Sequence, residues 1–359
     1  MNPTRVAFLL ATMVLVACED SVGPDSERPF IDGTAADPQI GLVINSGANA
    51  LRLFQVGNPD EVRNVELGAS SAVTPTGLAI RGRMIAVPLG NAASVAVINA
   101  ADQRIERFFL FPSGNATGVA FTEDGGLLLA NTNTNVVGRV TLDQTSNAIT
   151  QTVSVAPSPT DIEMVAGRAL VLSGNLDDAF APLGPGVVTA LNPTTLEILG
   201  IVDTGGTNPN GSAVGPDGLL YVVNTHDFTT GSLAIINPNM LQRVALIEGI
   251  GPGPGAITIN DEGLAFISSF SAGTFVFDTR NRTFVRGPDN PLCAPLPNGD
   301  CRGAFDAEAG EDGRVYQVFF GSASQGLSPG IFVYSPGSYD LTDSIPSGQR
   351  PTSIRVRRF

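Results

Sequence analysis

From Ile40 onward, short apolar runs alternate with clusters of Gly, Pro, Asn and Asp, the pattern of strands separated by turns. Asn208 to Pro238 shows the unit most clearly. Ser212 to Val214 is apolar, Pro216-Asp217-Gly218 has turn chemistry, and Leu219 to Val223 is rich in strand formers, which together predict a hairpin. After the polar run Asn224 to Gly231, Leu233 to Ile236 gives a third strand and Leu241 to Ile247 a fourth. Four antiparallel strands in about 45 residues are the size of one propeller blade.

The unit repeats. Positions equivalent to Pro209 fall at Pro75, Ala116, Pro159, Pro254, Ala304 and Pro351, with successive spacings of 41, 43, 50, 45, 50 and 47 residues. The hairpin turn returns as Glu123-Asp124-Gly125, Asn260-Asp261-Glu262-Gly263 and Glu311-Asp312-Gly313, and the outer hairpin as Val95 to Asn99, Val187 to Pro193 and Thr274 to Asp278. Seven anchors predict an all-β, seven-bladed β-propeller of four-stranded blades over residues 38–359. Residues 38–71 hold only three strands, Ile40 to Ile44, Ala50 to Val56 and Val62 to Leu67. The strand missing from that first blade is predicted at Pro351 to Val356, which would close the ring from the C-terminus and leave no open edge.

Pro209 through Gly218, Leu220-Tyr221-Val222-Val223-Asn224 and Ser94-Val95-Ala96-Val97-Ile98-Asn99 resemble the consensus of the YVTN-type seven-bladed propellers of surface-layer and exported bacterial proteins. The likeness is specific for fold and says little about activity, because this architecture carries many functions. Tryptophan is absent, so the chain does not resemble tryptophan-aspartate repeat propellers or tryptophan-docked quinoproteins.

Ahead of the repeats, Arg5, the apolar run Val6 to Val16 and the sequence Leu15-Val16-Ala17-Cys18 look like a bacterial lipoprotein signal with its lipobox, so residues 1–18 are set apart from the fold. The run is too short to span a bilayer, which takes about 20 apolar residues. Lipidation is expected on Cys18. Residues 19–37, acidic and without periodicity, read as a flexible tether. These features place the protein at the bacterial cell envelope, held to the outer membrane or another exported surface through its lipid alone. All 20 basic residues are arginine, so lysine Schiff-base and lysine-base chemistry are excluded. The formal charge of -14 disfavours nucleic acid and anionic membrane as partners, and a monomer is expected.

The inner strands alternate small and large residues, except where carboxylates take the small positions: Asp161 and Glu163 in one blade, Asp306 and Glu308 in another. Arg355 occupies the matching place in the first blade. Two roles fit. In the structural one, Asp161 and Asp306 accept backbone hydrogen bonds across blades and Glu308 pairs with Arg355. In the functional one, the four acids hold a divalent cation such as calcium in the channel, as in gluconolactonase-like propellers, although pairs three blades apart are hard to span with contacts of about 2.4 Å. No other cofactor is implied. His226 is the only histidine and sits on a loop. Streptogramin-lyase-like propellers pair a catalytic histidine with a metal, so His226, Glu163 and Glu308 are the catalytic candidates if the chain is an enzyme; otherwise His226 is a solvated loop residue. The Asp-Gly turns at 124, 217 and 312 read as turns rather than calcium loops.

Cys293 and Cys301 are the two cysteines left once Cys18 carries lipid, and in an oxidising compartment they are expected to pair. Long segments gather on one face of the repeat: Ser173 to Gly186, Thr225 to Gly231, Gly287 to Gly303 and Phe320 to Gly330. Insertions on one face of a repeat protein mark a binding surface. The expected rim comprises Asn175, Asp177, Asp178, His226, Asp227 and the bridged loop, with Phe180, Phe228 and Phe320 as apolar anchors. The sequence therefore predicts a binding module for an envelope protein, peptide or glycan, with a metal-dependent lactonase-like or lyase-like enzyme as the alternative.

Overall fold

The computed structural model describes residues 30–31 and 39–359; Cys18 and most of the tether stretch lie outside them. Seven four-stranded antiparallel sheets are arranged as blades around a central channel. The fifth blade is Pro209–Val214, Leu220–Asn224, Ser232–Asn237 and Gln242–Glu248, each strand paired with the next in sequence. Its predecessors and successors repeat that order. Helix is confined to the single turn Ala323–Gln325 among the described residues.

The core consists of seven apolar layers, one between each pair of neighbouring blades. Strand period two decides who faces whom. In the second strand of blade five, Leu220 and Val222 pack toward blade four with Leu170 and Leu172, whereas Tyr221 and Val223 pack toward blade six with Ile267 and Phe275. Both faces are buried, so the strand reads as a continuous apolar run. Where inner strands crowd the axis, side chains must be small: a Cβ on Gly118 would come within 2.8 Å of the Asp161 backbone in the next blade. The Asp-Gly turns act as turns. Tyr221 Oη donates to Asp217 Oδ2 at 2.8 Å, and Tyr316 Oη to Asp312 Oδ2 at 3.2 Å, tying each hairpin to its own second strand.

The ring closes as the repeats predict. Pro351–Arg357 pairs antiparallel with Ile40–Asn45, which continues to Ala50–Gln55 and Asn58–Glu66, so blade one is built from both ends of the described chain. Five inner strands begin at their anchors, Ala116, Pro159, Pro209, Pro254 and Pro351. In blade two the inner strand shrinks to Ala79–Arg81. Continuing its register (Ala79 opposite Ala86) puts Gly77 opposite Pro88, which has no N–H to donate. Within the stretch read as tether, Phe30 and Ile31 are buried against blades one and two. Gln55 Nε2 donates to the Phe30 carbonyl at 3.1 Å, and the Arg63 guanidinium lies 5.1 Å from the Phe30 ring centre.

The antiparallel order puts the connections between second and third strands on the same face as those between blades. That upper face carries the long loops 174–186, 225–231, 287–305 and 320–329, and the opposite face the short turns at 100–103, 238–241 and 279–282 together with one longer connection, 142–150 of blade three. Removing residues 351–359 takes away the inner strand of blade one and uncovers Val43, Phe54 and Val318, whose apolar layer includes Ile354 and Val356. The truncated protein is expected to unfold or aggregate, as followed by circular dichroism and size exclusion; melting like that of the full chain would contradict closure by this strand.

Candidate functional site

The channel opens on the upper face as a cavity of about 500 Å³ lined by the first residues of all seven inner strands. A narrower compartment of about 350 Å³ continues below it, past Asp161, Glu163, Arg355 and Arg357. The four predicted carboxylates line this axis, two on each side.

On one side the acids are engaged. Asp306 is 2 % exposed, and its Oδ2 accepts from Ser353 Oγ at 3.0 Å, Ile354 N at 3.1 Å and Arg355 Nη1 at 2.7 Å, while Oδ1 accepts from Ala307 N at 2.9 Å. Glu308 pairs with Arg357 and accepts from Val356 N at 3.2 Å, and Arg355 Nε stands 4.0 Å away. The expected partnership is therefore corrected: Arg355 serves Asp306 first and Glu308 second, and Glu308 takes Arg357. The cause is the reach of the arginines: each folds back onto the carbonyl of the residue before it, Arg355 onto Ile354 and Arg357 onto Val356, and so meets the carboxylate one step higher than its own repeat position. Burial works against the charge of Arg355, yet Asp306 and Glu308 together hold its guanidinium above the ordinary arginine value. Burial also raises the Glu308 carboxyl, against the pull of Arg355 and Arg357.

On the other side the acids are freer. Asp161 accepts from Ser212 Oγ of blade five at 2.8 Å, a side-chain bond where a backbone one was expected, and from the N–H of Ile162 in its own strand at 2.9 Å. Glu163 faces the lower compartment without a hydrogen bond to any described residue. Its carboxyl is pushed up to about 8, first by burial and then by the Asp161 carboxylate, with Arg355 pulling the other way. Among the described residues, no three His, Cys, Asp or Glu side chains converge in a way that could hold a metal ion. Asp306 and Glu308 also have their oxygens turned to guanidinium and N–H groups, which leaves Asp161 and Glu163 as the pair with any capacity for a cation.

His226 is half-buried and clasped. Its Nε2 lies 2.9 Å from Ser232 Oγ and its Nδ1 3.3 Å from Thr207 Oγ1, so both ring nitrogens are engaged within the loop rather than turned to the channel acids. The other predicted rim residues shape their loops. Asp177 Oδ1 accepts from the N–H groups of Ala179 and Ala181, Asp227 Oδ1 from Thr229, and Asn175 Nδ2 donates to the Pro185 carbonyl. Asp178 is exposed. Hydrogen bonds from Thr229 hold the Asp227 carboxyl below its usual range. These residues share the upper face without forming one pocket.

What does converge there is aromatic. Phe228 and Phe270 lie 6.2 Å apart between ring centres, Phe270 and Phe305 5.1 Å, and Phe305 and Phe320 4.7 Å in a stacked pair, an arc crossing the loops of blades five to seven. Phe228 is 53 % exposed and Phe180, on the blade-four loop, 70 %. Two members of the arc, Phe270 and Phe305, are absent from the sequence prediction, though a signal exists. The residue following the second strand is Thr132 in blade three and Thr225 in blade five, whose hydroxyls donate to the Pro159 and Pro254 carbonyls of the next blade at 2.7 and 2.6 Å. In blades six and seven the same place is Phe270 and Phe320. A clamp to the neighbouring blade has been exchanged for a ring at the surface.

The loop 287–303 is stapled by the predicted Cys293–Cys301 disulfide. It also adds backbone bonds to blade six, with Thr274 and Leu292 exchanging N–H to carbonyl bonds at 3.1 and 2.8 Å. Gly303 passes so close to the Phe270 carbonyl that a Cβ there would overlap it, so only glycine lets the loop return against the arc.

Known structures share the fold. A chain of Kuenenia stuttgartiensis hydrazine synthase is 12% identical, the match covering 81% of this chain and 97% of that one at a TM-score of 0.59. A functionally unknown protein from Desulfotomaculum acetoxidans is 14% identical over 88% of this chain and 98% of that one, at a TM-score of 0.64. At such identities the likeness concerns architecture alone. No protein-family model and no curated protein matches the chain. The propeller implied by the repeat resemblance is thus present, while the repeat type itself finds no matching family.

The Glu163 carboxyl supplies a pH test. Its folded value of about 8 lies above the ordinary 4.5, so the folded state keeps a proton that the unfolded chain gives up; this contribution is complete below about 4.5 and is lost as pH rises toward 8. Glu163 retains some contact with channel water, which softens the effect. Glu163→Gln is expected to melt roughly 2–5 °C above wild type at about pH 9 and level with it at about pH 4. Parallel melting curves at all pH values would contradict this.

Proposed function

We propose that this chain is a binding module held at the bacterial cell envelope by a lipid on Cys18, taking a protein, peptide or glycan on its upper face. The propeller fold suits a generic interaction role, and the observation that carries the reading is the aromatic arc Phe228–Phe270–Phe305–Phe320 at the mouth of the channel. Aromatic rings give large contact area with little loss of side-chain freedom, and they dominate binding hot spots. The chemistry of the axis supports binding over catalysis, since Asp306 and Glu308 are bound to arginines and His226 is clasped by Thr207 and Ser232. The lipobox at Leu15 to Cys18 and the Cys293–Cys301 disulfide both suit an exported, oxidising setting.

Two experiments test the two halves. Wild-type protein made in a bacterium with lipoprotein processing is expected to partition into Triton X-114 detergent and Cys18→Ser into the aqueous phase; equal partitioning would refute the anchor. Peptide and glycan arrays, with capture from envelope extract, should yield ligands whose affinity falls about tenfold or more in a Phe180→Ala/Phe228→Ala variant that melts like wild type. If binding is lost instead on changing the turns at 100–103 and 238–241, the face is wrong. Self-association without any ligand would point to an assembly module.

A further inference from the structure

Beside the arc, between blades six and seven, lies a separate pocket of about 300 Å³ on the upper face. Phe270, Phe305, Phe319 and Phe320 with Leu296 and Leu327 form its apolar wall, Ser271, Ser322 and Gln325 its polar one, and the one charged group lining it is Arg302.

Arg302 follows the stapled Cys301 directly, and Gly303 then turns the chain in against Phe270. The Arg302 guanidinium lies 5.1 Å from the Phe319 ring centre and 5.4 Å from that of Phe332, and it makes no hydrogen bond or ion pair with any described residue. Many arginines on the ring meet carboxylates, as Arg139 meets Asp124 and Arg314 meets Asp312, or donate to carbonyls, as Arg168 does to Pro238; Arg350, 5.6 Å from the Phe320 ring centre, shares the ring contact but does not line this pocket.

The guanidinium rests against two neighbouring rings rather than against an acid, so its N–H groups are free to grip a carboxylate through two parallel bonds. In an acidic protein, a cation left without an acid beside phenylalanine and leucine walls is complementary to an anion carried on an apolar body. The arc supplies the direction. Phe270 and Phe305 line both this pocket and the channel mouth, and the rings continue outward to the exposed Phe228. A ligand anchored at Arg302 and longer than the pocket would run along them.

From this geometry we propose that the pocket captures the C-terminal carboxylate of a peptide or protein ending in an aromatic or bulky aliphatic residue. The final side chain fills the space among Leu296, Leu327 and the phenylalanines, Arg302 holds the carboxylate, and the preceding residues lie across the arc toward Phe228. This rests on the binding-module reading and names its ligand class; no covalent step is involved.

The test uses the full-length protein and fluorescein-labelled hexapeptides that end in each of the apolar amino acids, each made as the free acid and as the C-terminal amide. Fluorescence polarisation is expected to find free acids that bind at least tenfold more tightly than their amides. Arg302→Gln should erase that preference, and Arg302→Lys, which keeps the charge but loses the paired geometry, should retain only part of it. Equal binding of acid and amide, or a preference that survives in Arg302→Gln, would overturn the proposal. 3-Phenylpropanoate displacing the peptides at an affinity equal to theirs would overturn the peptide assignment in favour of a small acid. If Arg302→Gln leaves array ligands untouched while Phe180→Ala/Phe228→Ala abolishes them, this inference fails and the binding-module reading stands; if neither variant affects any ligand, both fail.

Discussion

The ring depends on one charge lattice, whose acids are buried and whose arginines stay partly open to the channel. Asp306 and Glu308 of blade seven meet Arg355 and Arg357 of the closing strand, and the same carboxylates accept the N–H groups of Ile354 and Val356. Each apolar layer of a propeller needs the next blade to cover it, so an open ring would expose two faces at once. Removing one partner from a buried pair leaves the other charge uncompensated, which typically costs about 3–5 kcal/mol. The lattice therefore specifies where the closing strand docks, and the antiparallel ladder with Ile40–Asn45 fixes its register from the other side.

That commitment shapes what the axis can do. Two of the four channel acids are spent on closure, and Asp161 is tied to Ser212. Glu163 remains, a carboxyl raised by burial with no described hydrogen-bond partner. The upper loops are under no such obligation. At the position after the second strand, blades three and five keep threonines that clamp the next blade, whereas blades six and seven carry Phe270 and Phe320, which line the pocket beside the mouth. Where phenylalanine replaces the clamp, the stapled loop 287–303 packs in, with Leu292 bonded to Thr274 and Gly303 against Phe270.

Much of this is legible in the sequence because strands and turns are local. Period-two and continuous apolar runs mark the strands, the spacing of the Pro209 equivalents counts seven blades, and the incomplete first blade implies the closure. The pairing of charges is not legible to the residue. Equivalent repeat positions put Arg355 level with Glu308, but both arginines fold back along their strand, and only three-dimensional packing shows that Arg355 reaches Asp306 and Arg357 reaches Glu308. The polar rim residues stand out by their loops and their chemistry, yet Asp177 and Asp227 serve their own turns, as short acidic side chains do. Phe270, Phe305 and Arg302 escape a reading of the sequence because each is ordinary alone and acquires meaning only from neighbours in the folded ring.

The central claim, that the blade-seven acids are a structural latch, is tested most directly by a double-mutant cycle between Asp306→Asn and Arg355→Met in denaturant unfolding. The account predicts a coupling energy of about 2 kcal/mol or more, with each single change destabilising and the pair less so than their sum. A coupling below about 0.5 kcal/mol, within the error of simple additivity, would contradict it.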